Sequence, residues 1–185
     1  RVDWNMRVNG VAVDNEMPTA KLIADLVCFA RALAEYPEIK RVLTFSHFVK
    51  TNKLAEMNFP WVVDKVLGKS NLARNAKKMF FQVLNDDKYN SNSVGKNHNA
   101  AIKQAKAHDR YAIGSSKVFS RGYDDQFSPK HHAAIHWDEK NIVTTAQEIW
   151  RVIRKDTNKQ GQPVCGDPNA YYILPQIYND LDDTP

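Results

Sequence analysis

The segment Ile39-Lys-Arg-Val-Leu-Thr-Phe-Ser-His-Phe-Val49 decides which fold class the sequence predicts. Its apolar residues recur at the three-and-four spacing of a buried helical stripe; they are Ile39, Val42, Leu43, Phe45, Phe48 and Val49. The part from Ile39 to Phe45 also fits a strand, because β-branched and aromatic residues are frequent in it. We interpret the whole segment as a helix, and this choice predicts a mostly α protein.

Helical patterns on both sides of this segment favour the same class. Pro18 opens a helix with a buried stripe from Leu22 to Leu33, and Pro60 starts a short helix that Gly68 ends. Further helices are expected after Ser70 or Asn71, from Asn99 to Tyr111, after Ser128-Pro129 and after Asp138. The polar segment Asn85 to Asn99 predicts a long loop. The sequence thus predicts a single helical domain of about six or seven helices.

The two ends of the chain differ from this helical core. Asn9-Gly10 lies between alternating apolar residues, which is the strongest short-range signal of a β-hairpin. Prolines and acidic residues in the tail favour an extended C-terminal segment over a helix. We therefore divide the chain into an N-terminal hairpin or arm (1–16), a helical core (17–160) and a C-terminal arm (161–185).

Positive charge is concentrated in the middle of the chain. The formal net charge is +5, but Lys40 to Lys130 holds 17 basic and 7 acidic residues, an excess of +10, while both flanks are net acidic. This asymmetry favours a polyanionic partner for the middle segment. The alternative is a lysine-rich helical surface that is only solvated.

Aromatic residues stand among these cations, and the combination suits contact with phosphates and stacking on bases. The middle segment is accordingly the predicted core for nucleic-acid binding. No standard base-reading module is present, so we expect sequence-tolerant binding, with RNA favoured over DNA. The predicted binding residues are Arg74, Lys77, Lys78, Lys103, Lys106, Arg110, Lys117, Arg121 and Tyr123.

The apolar ends of the chain predict assembly. Arms that dock on neighbouring copies would suit a homo-oligomer, such as a nucleoprotein or coat subunit that polymerises along a strand. A protein-interaction module of a larger assembly is an alternative. No apolar run approaches the roughly 20 residues of a membrane span, and no signal peptide is visible. We therefore expect no membrane partner and a location in the cytoplasm or within a virion.

An enzyme is the other alternative, as a small metal-dependent nuclease or toxin domain. On a helix His132 and His136 would share a face beside His131, but no spacing rule supplies a third zinc ligand. Glu38-Ile39-Lys40 resembles an acid-x-lysine nuclease pair for which Asp25 would have to hold the metal. Phosphate-binding glycine loops are missing. We assign no catalytic residue, no metal ligand and no cofactor.

Overall fold

The computed structural model describes residues 7–8, 11–12, 18–71, 73–84, 98–115, 131–137, 145–146, 149, 152–153, 160–161 and 169–175. They form a five-stranded parallel sheet with helices on both faces, and a two-stranded antiparallel ribbon. The elements are β1 (Arg7–Val8), β2 (Val11–Ala12), α1 (Ala20–Glu35), β3 (Arg41–Phe45), α2 (Val49–Val66), α3 (Ala73–Lys77), β4 (Phe80–Leu84), α4 (His98–Lys106), β5 (Tyr111–Ser115), β6 (Ala133–His136) and β7 (Tyr171–Ile173). Among these described helices, none combines the length and apolar character that a membrane crossing requires.

The sheet is arranged around its central strand, β3. Its order is β4-β5-β3-β6-β7, and each neighbouring pair is parallel. Val42 lies opposite Ala112 of β5 on one side and Ala133 of β6 on the other. The chain leaves β3 for the far strand β4, returns to β5, and then crosses to β6 and β7 beyond the other side of β3. Because parallel neighbours need long crossovers, helices connect β3 to β4 and β4 to β5.

The mostly α prediction is wrong, and the segment that decided it forms the centre of the sheet. Arg41–Phe45 is a strand, not part of a helix. Val42 belongs to the core on one face, whereas Leu43 and Phe45 belong to the core on the other. A central strand that is buried on both faces is apolar at consecutive positions, and such a short run matches helical spacing as well as strand spacing.

Other predicted helices end in strands for the same reason. The helix expected after Ser70 or Asn71 divides into α3 and β4. The helix expected from Asn99 to Tyr111 divides into α4 and β5. The helix expected after Ser128-Pro129 is instead the strand β6. The C-terminal segment contributes β7, and Pro60 lies inside α2 instead of starting a helix. His98 and Asn99, expected at the end of a loop, begin α4; the rest of that loop and most of the helix expected after Asp138 lie outside the described residues.

Three local predictions are confirmed. Helix α1 buries its predicted stripe, and the Thr19 hydroxyl oxygen caps it by accepting a 3.1 Å hydrogen bond from the Leu22 amide. The predicted N-terminal hairpin forms, since Arg7–Val8 pairs antiparallel with Val11–Ala12. Gly68, after α2, has the left-handed φ of 58° expected of a helix-ending glycine.

Hydrogen bonds from buried side chains fix the amino-terminal edge of the sheet. The buried Arg110 guanidinium donates to the carbonyls of Pro37 at 2.7 Å and Ile39 at 2.8 Å. The Lys40 amide donates to His132 Nε2 at 3.1 Å. These bonds satisfy backbone groups just before β3, where the sheet ladder does not yet provide partners.

A polar cluster fixes the carboxyl-terminal edge. The side-chain carbonyl of Asn52, in α2, accepts hydrogen bonds from the Thr44 hydroxyl and from the Trp137 indole N–H, each at 2.9 Å. Its amide nitrogen donates to the Ser46 hydroxyl at 2.8 Å. Gly114 leaves the room for this cluster, since a Cβ there would lie 2.7 Å from Thr44 Oγ1 and 2.9 Å from Asn52 Oδ1.

Gly114→Ala should therefore destabilise the protein by about 1 to 3 kcal/mol, because the added methyl forces Asn52 or the strand to move. Urea unfolding measures the loss. Gly68→Asn is the matched control: the space around Gly68 is open, and asparagine tolerates its left-handed backbone, so we expect a loss below about 1 kcal/mol. A loss below about 0.5 kcal/mol for Gly114→Ala would contradict the close approach.

His132 should make stability depend on pH. Its burial, followed by the charges of Arg41 and His131, lowers its pKa from 6.5 to about 4. As the pH falls, the unfolded chain therefore binds a proton on this histidine near pH 6.5, whereas the folded protein binds it only near pH 4. The free energy of unfolding consequently falls as the pH drops through this window. After allowance for solvent screening, we expect a loss of about 1 to 2 kcal/mol at pH 5.

Urea titrations at pH 7 and pH 5 test this prediction against His132→Gln, which cannot take up the proton. The difference in unfolding free energy between the two pH values should be larger for the wild type than for the variant. Equal differences would show that His132 is not held neutral.

Candidate functional site

The carboxyl-terminal ends of β3 and β6 form the topological switch point of the sheet. These two strands are parallel neighbours, but the chain continues from β3 towards β4 on one side, whereas β7 lies beyond β6 on the other. In open parallel sheets, ligands bind in the crevice outside the strand ends at such a point. The described residues at this place are Ser46, His47 and Phe48 after β3, and His136 and Trp137 at the end of β6.

The turn after β3 is held by hydrogen bonds. The Ser46 hydroxyl accepts from the Asn52 side-chain amide and donates to the Phe48 carbonyl at 2.6 Å. Ser46 and Asn52 are both buried, so the turn that follows the strand has a firm base. This base presents two side chains to the surface, the exposed His47 and Phe48, whose side chain is 69% exposed.

Two imidazole rings lie together at this edge. The ring centroid of His47 is 5.3 Å from that of His136, in an edge-to-face arrangement. The buried His136 ring also stacks on Phe45, with centroids 6.4 Å apart. The buried His136 ring thus lies between Phe45 and the exposed His47 at the carboxyl-terminal edge.

Helix α2 begins at the same edge without a side-chain cap. Its N-cap residue is Phe48, which makes no side-chain cap hydrogen bond, and no acidic residue lies in the first turn. Lys50 in that turn is exposed, and Lys53 follows one turn later. Helix amino termini attract anions through their N–H groups and dipole, and here lysine adds full positive charge.

The structure places five of the predicted nucleic-acid-binding residues at the opposite edge of the sheet, on two helices that cover different faces of it. Arg74 and Lys77 lie in α3 with Lys78 directly after it, and Lys103 and Lys106 lie in α4. Both helices end where β4 and β5 begin, so these cations lie at the amino-terminal corner of the sheet.

Arg110 is not at the surface. Its side chain is buried against the carbonyls before β3, and burial lowers its pKa. It therefore has a structural role and is left out of the interface proposed below. Lys117, Arg121 and Tyr123 lie outside the described residues.

The described residues do not assemble the enzyme alternative. His132 lies at the start of β6 and His136 at its end, about 13 Å apart along the strand, so they share no helix face. No group of three or more potential metal ligands occurs in the described part of the chain. Asp25 accepts a 2.8 Å hydrogen bond from Lys21, which also donates to the Trp137 carbonyl at the carboxyl edge. Glu38 precedes β3 at the amino edge, so the two carboxylates lie at opposite edges of the sheet.

The position of Ser46, His47 and Phe48 at a strand end was not predicted, because the segment before them was interpreted as a helix. Ser46, His47 and Phe48 acquire meaning only once they follow a strand, since the ends of parallel strands are where ligands bind. A useful signal was available: the apolar run stops at Ser46-His47, and a fresh helical pattern starts after Phe48.

Comparisons with known proteins relate the chain by fold. No family model and no curated protein sequence matches it. A solved structure of the ATP-dependent Type ISP restriction-modification enzyme LlaBIII bound to DNA aligns with a TM-score of 0.55 at 13% identity, over 93% of this chain and 10% of that one. The C-terminal part of the Fun30 ATPase domain aligns with a TM-score of 0.45 at 16% identity, over 95% of this chain and 51% of that one. The likeness to LlaBIII therefore concerns the fold, and this chain spans a small part of that enzyme.

Proposed function

We propose that this chain is a nucleic-acid-binding domain that holds a DNA strand at the carboxyl edge of β3 and β6. The observation that carries the proposal is the start of α2, where an uncapped helix terminus, Lys50 and the exposed Phe48 lie side by side. One end of this site suits a phosphate, and the other suits a base.

The phosphate end rests on charge and on backbone donors. The first amides of α2 point out of the helix at the carboxyl edge, and the first turn contains no carboxylate that would repel an anion. Lys50 lies in that turn, and exposed His47 adds an imidazole N–H donor next to it. A phosphodiester group placed there meets hydrogen-bond donors and positive charge together.

The base end rests on the ring of Phe48. Exposure of the phenylalanine ring to water is unfavourable. A base stacked on its face removes that apolar surface from solvent. Stacking of this kind tolerates any base, in agreement with the expected sequence tolerance. The turn bonds through Ser46 and Asn52 hold the Phe48 backbone, from which the ring projects, in place before the ligand arrives.

Two parts of the proposal, the choice of DNA and the placement in a larger protein, are based on the similarity to LlaBIII. LlaBIII is described as an ATP-dependent enzyme bound to DNA, and its similarity to this chain is one of fold. This likeness favours DNA over the RNA expected from the sequence, whereas the net charge of +5 suits either polyanion. We place the domain in a larger ATP-dependent DNA-processing protein as part of the proposal.

Phe48→Ala should weaken binding of a fluorescent single-stranded oligonucleotide by about 5-fold to 100-fold, since one stacked base contributes about 1 to 3 kcal/mol. Fluorescence anisotropy at fixed salt measures the change, and RNA of the same sequence tests the preference for DNA. Tyr36→Ala is the control: it removes an exposed aromatic ring at the opposite edge and should leave affinity unchanged.

Equal affinities of wild type and Phe48→Ala would remove the carboxyl edge from the binding surface. A wild type that binds neither DNA nor RNA would overturn the proposed function itself.

A further inference from the structure

A pair of tyrosine rings lies at the amino-terminal edge of the sheet, away from the carboxyl-edge site. Tyr36 directly follows α1, and Tyr171 is the first residue of β7. Their ring centroids are 6.0 Å apart, and the ring planes are inclined by 44°. Tyr36 is 42% exposed, and Tyr171 is partly exposed. The topology thus joins two rings from distant parts of the sequence into one aromatic surface that water reaches.

The turn between α1 and β3 fixes the first ring. The Ile39 amide donates to the Tyr36 carbonyl at 3.0 Å, which closes a β-turn with Pro37 at its second position, where proline favours the required φ. The buried Arg110 guanidinium holds the same turn through the carbonyls of Pro37 and Ile39. The turn therefore presents Tyr36 and Glu38 from a firmly held backbone.

A carboxylate completes this surface. The Tyr171 hydroxyl donates a 2.7 Å hydrogen bond to Glu38 Oε1 and accepts one from the Asn169 side-chain amide at 3.2 Å. Hydrogen bonds from its own backbone amide and from Tyr171 lower the pKa of the Glu38 carboxyl, so it is ionised at neutral pH. The exposed carboxylate has lone pairs beyond these bonds and can accept from a ligand. We call Tyr36, Glu38 and Tyr171 the amino-edge face.

Glu38 supplies the exposed charge of the amino-edge face. Three cations lie near the turn, but each is less exposed than Glu38 or pairs with a carboxylate. Arg110 is buried, Arg41 is half-buried at the start of β3, and Lys40 lies 3.5 Å from Asp109. The face therefore favours a ligand of positive charge.

Two further features of this edge agree with a cationic ligand. The buried His132 ring meets Tyr171 edge to face, with centroids 6.3 Å apart, and burial lowers the pKa of His132 to about 4. This ring is therefore uncharged at neutral pH. Helix α1 ends at Glu35, and its last turn contains no basic residue, so the helix itself does not neutralise the partial negative charge of its carbonyl end.

We propose that the amino-edge face binds an arginine side chain of a partner protein. A planar guanidinium stacks on aromatic rings and pairs with a carboxylate, so it matches both parts of the face. A cation in the angle between rings whose centroids are 6.0 Å apart can lie within about 6 Å of both. The compact, strongly hydrated ammonium of lysine matches the rings less well. This inference goes beyond nucleic-acid binding and does not depend on it.

An NMR titration of the isotope-labelled protein tests the proposal. The probe is the peptide acetyl-Gly-Arg-Gly-Arg-Gly-amide, and the control peptide carries citrulline, a neutral side chain of nearly the same shape, in place of each arginine. The net charge of the chain is +5, so its overall field does not attract a cationic peptide and binding reports a local site. We expect saturable shifts of the amides of residues 36, 38–40 and 171–173 with the arginine peptide only.

Tyr36→Ala should weaken the affinity for the arginine peptide by about 2-fold to 30-fold, because one cation–π contact is lost. Tyr36→Phe keeps the ring and should bind like the wild type. Glu38→Gln keeps an acceptor for Tyr171 but removes the charge, and should weaken affinity by about 2-fold to 5-fold. The matched control is Asp64→Asn, which removes an exposed carboxylate beside Lys77 near the start of β4 and should leave affinity unchanged.

The outcomes decide between the possible occupants. Equal binding of the arginine and citrulline peptides would overturn recognition of a cation, and equal affinities of wild type and Tyr36→Ala would remove the tyrosine pair from the site. A wild type that binds neither peptide but forms a Tyr36-dependent dimer in analytical ultracentrifugation would make a second copy the occupant and overturn the proposal. An unchanged spectrum of Tyr36→Ala away from the turn and β7 shows that its loss of affinity does not come from unfolding.

Discussion

The hydrogen bonds of the Asn52 side-chain amide are the interactions on which the carboxyl-terminal edge of the sheet depends. Its oxygen accepts from Thr44 in β3 and from Trp137 after β6, and its nitrogen donates to Ser46. One buried residue of α2 thus connects two strands and the turn between β3 and its own helix. Because buried polar groups are costly when unpaired, these partners define one position for α2 over the sheet.

The position of α2 determines which groups the carboxyl-terminal edge presents to solvent. With α2 held at Asn52, the uncapped start of the helix and exposed Phe48 face outward beside His47 and His136. Gly114 belongs to the same constraint, since any larger residue would enter the space of the Asn52 amide. Stability and the proposed ligand contact are therefore linked through one cluster.

Prediction from the sequence succeeded where the signal is local. The periodicity of α1 and the positive-φ demand of Asn9-Gly10 operate within one element, so neither needs knowledge of its neighbours. It failed for β3, β4, β5 and β6, because strands of four or five residues are too short to distinguish helical from strand periodicity. The lysines of α3 and α4 were predicted singly as binding residues, and only the β4–β5 pairing placed both helix ends at the same edge of the sheet.

The sequence by itself determined the amphipathic first helix, the pairing of the N-terminal ribbon, the positions of helix-ending residues such as Gly68, and the excess of positive charge between Lys40 and Lys130. The tertiary structure decided that Arg41–Phe45 is a strand and that Arg110 is buried while Phe48 is exposed. The physical reason is that a short apolar run gains its identity from partners: β3 is a strand because β5 and β6 supply hydrogen bonds on both sides and helices cover both faces.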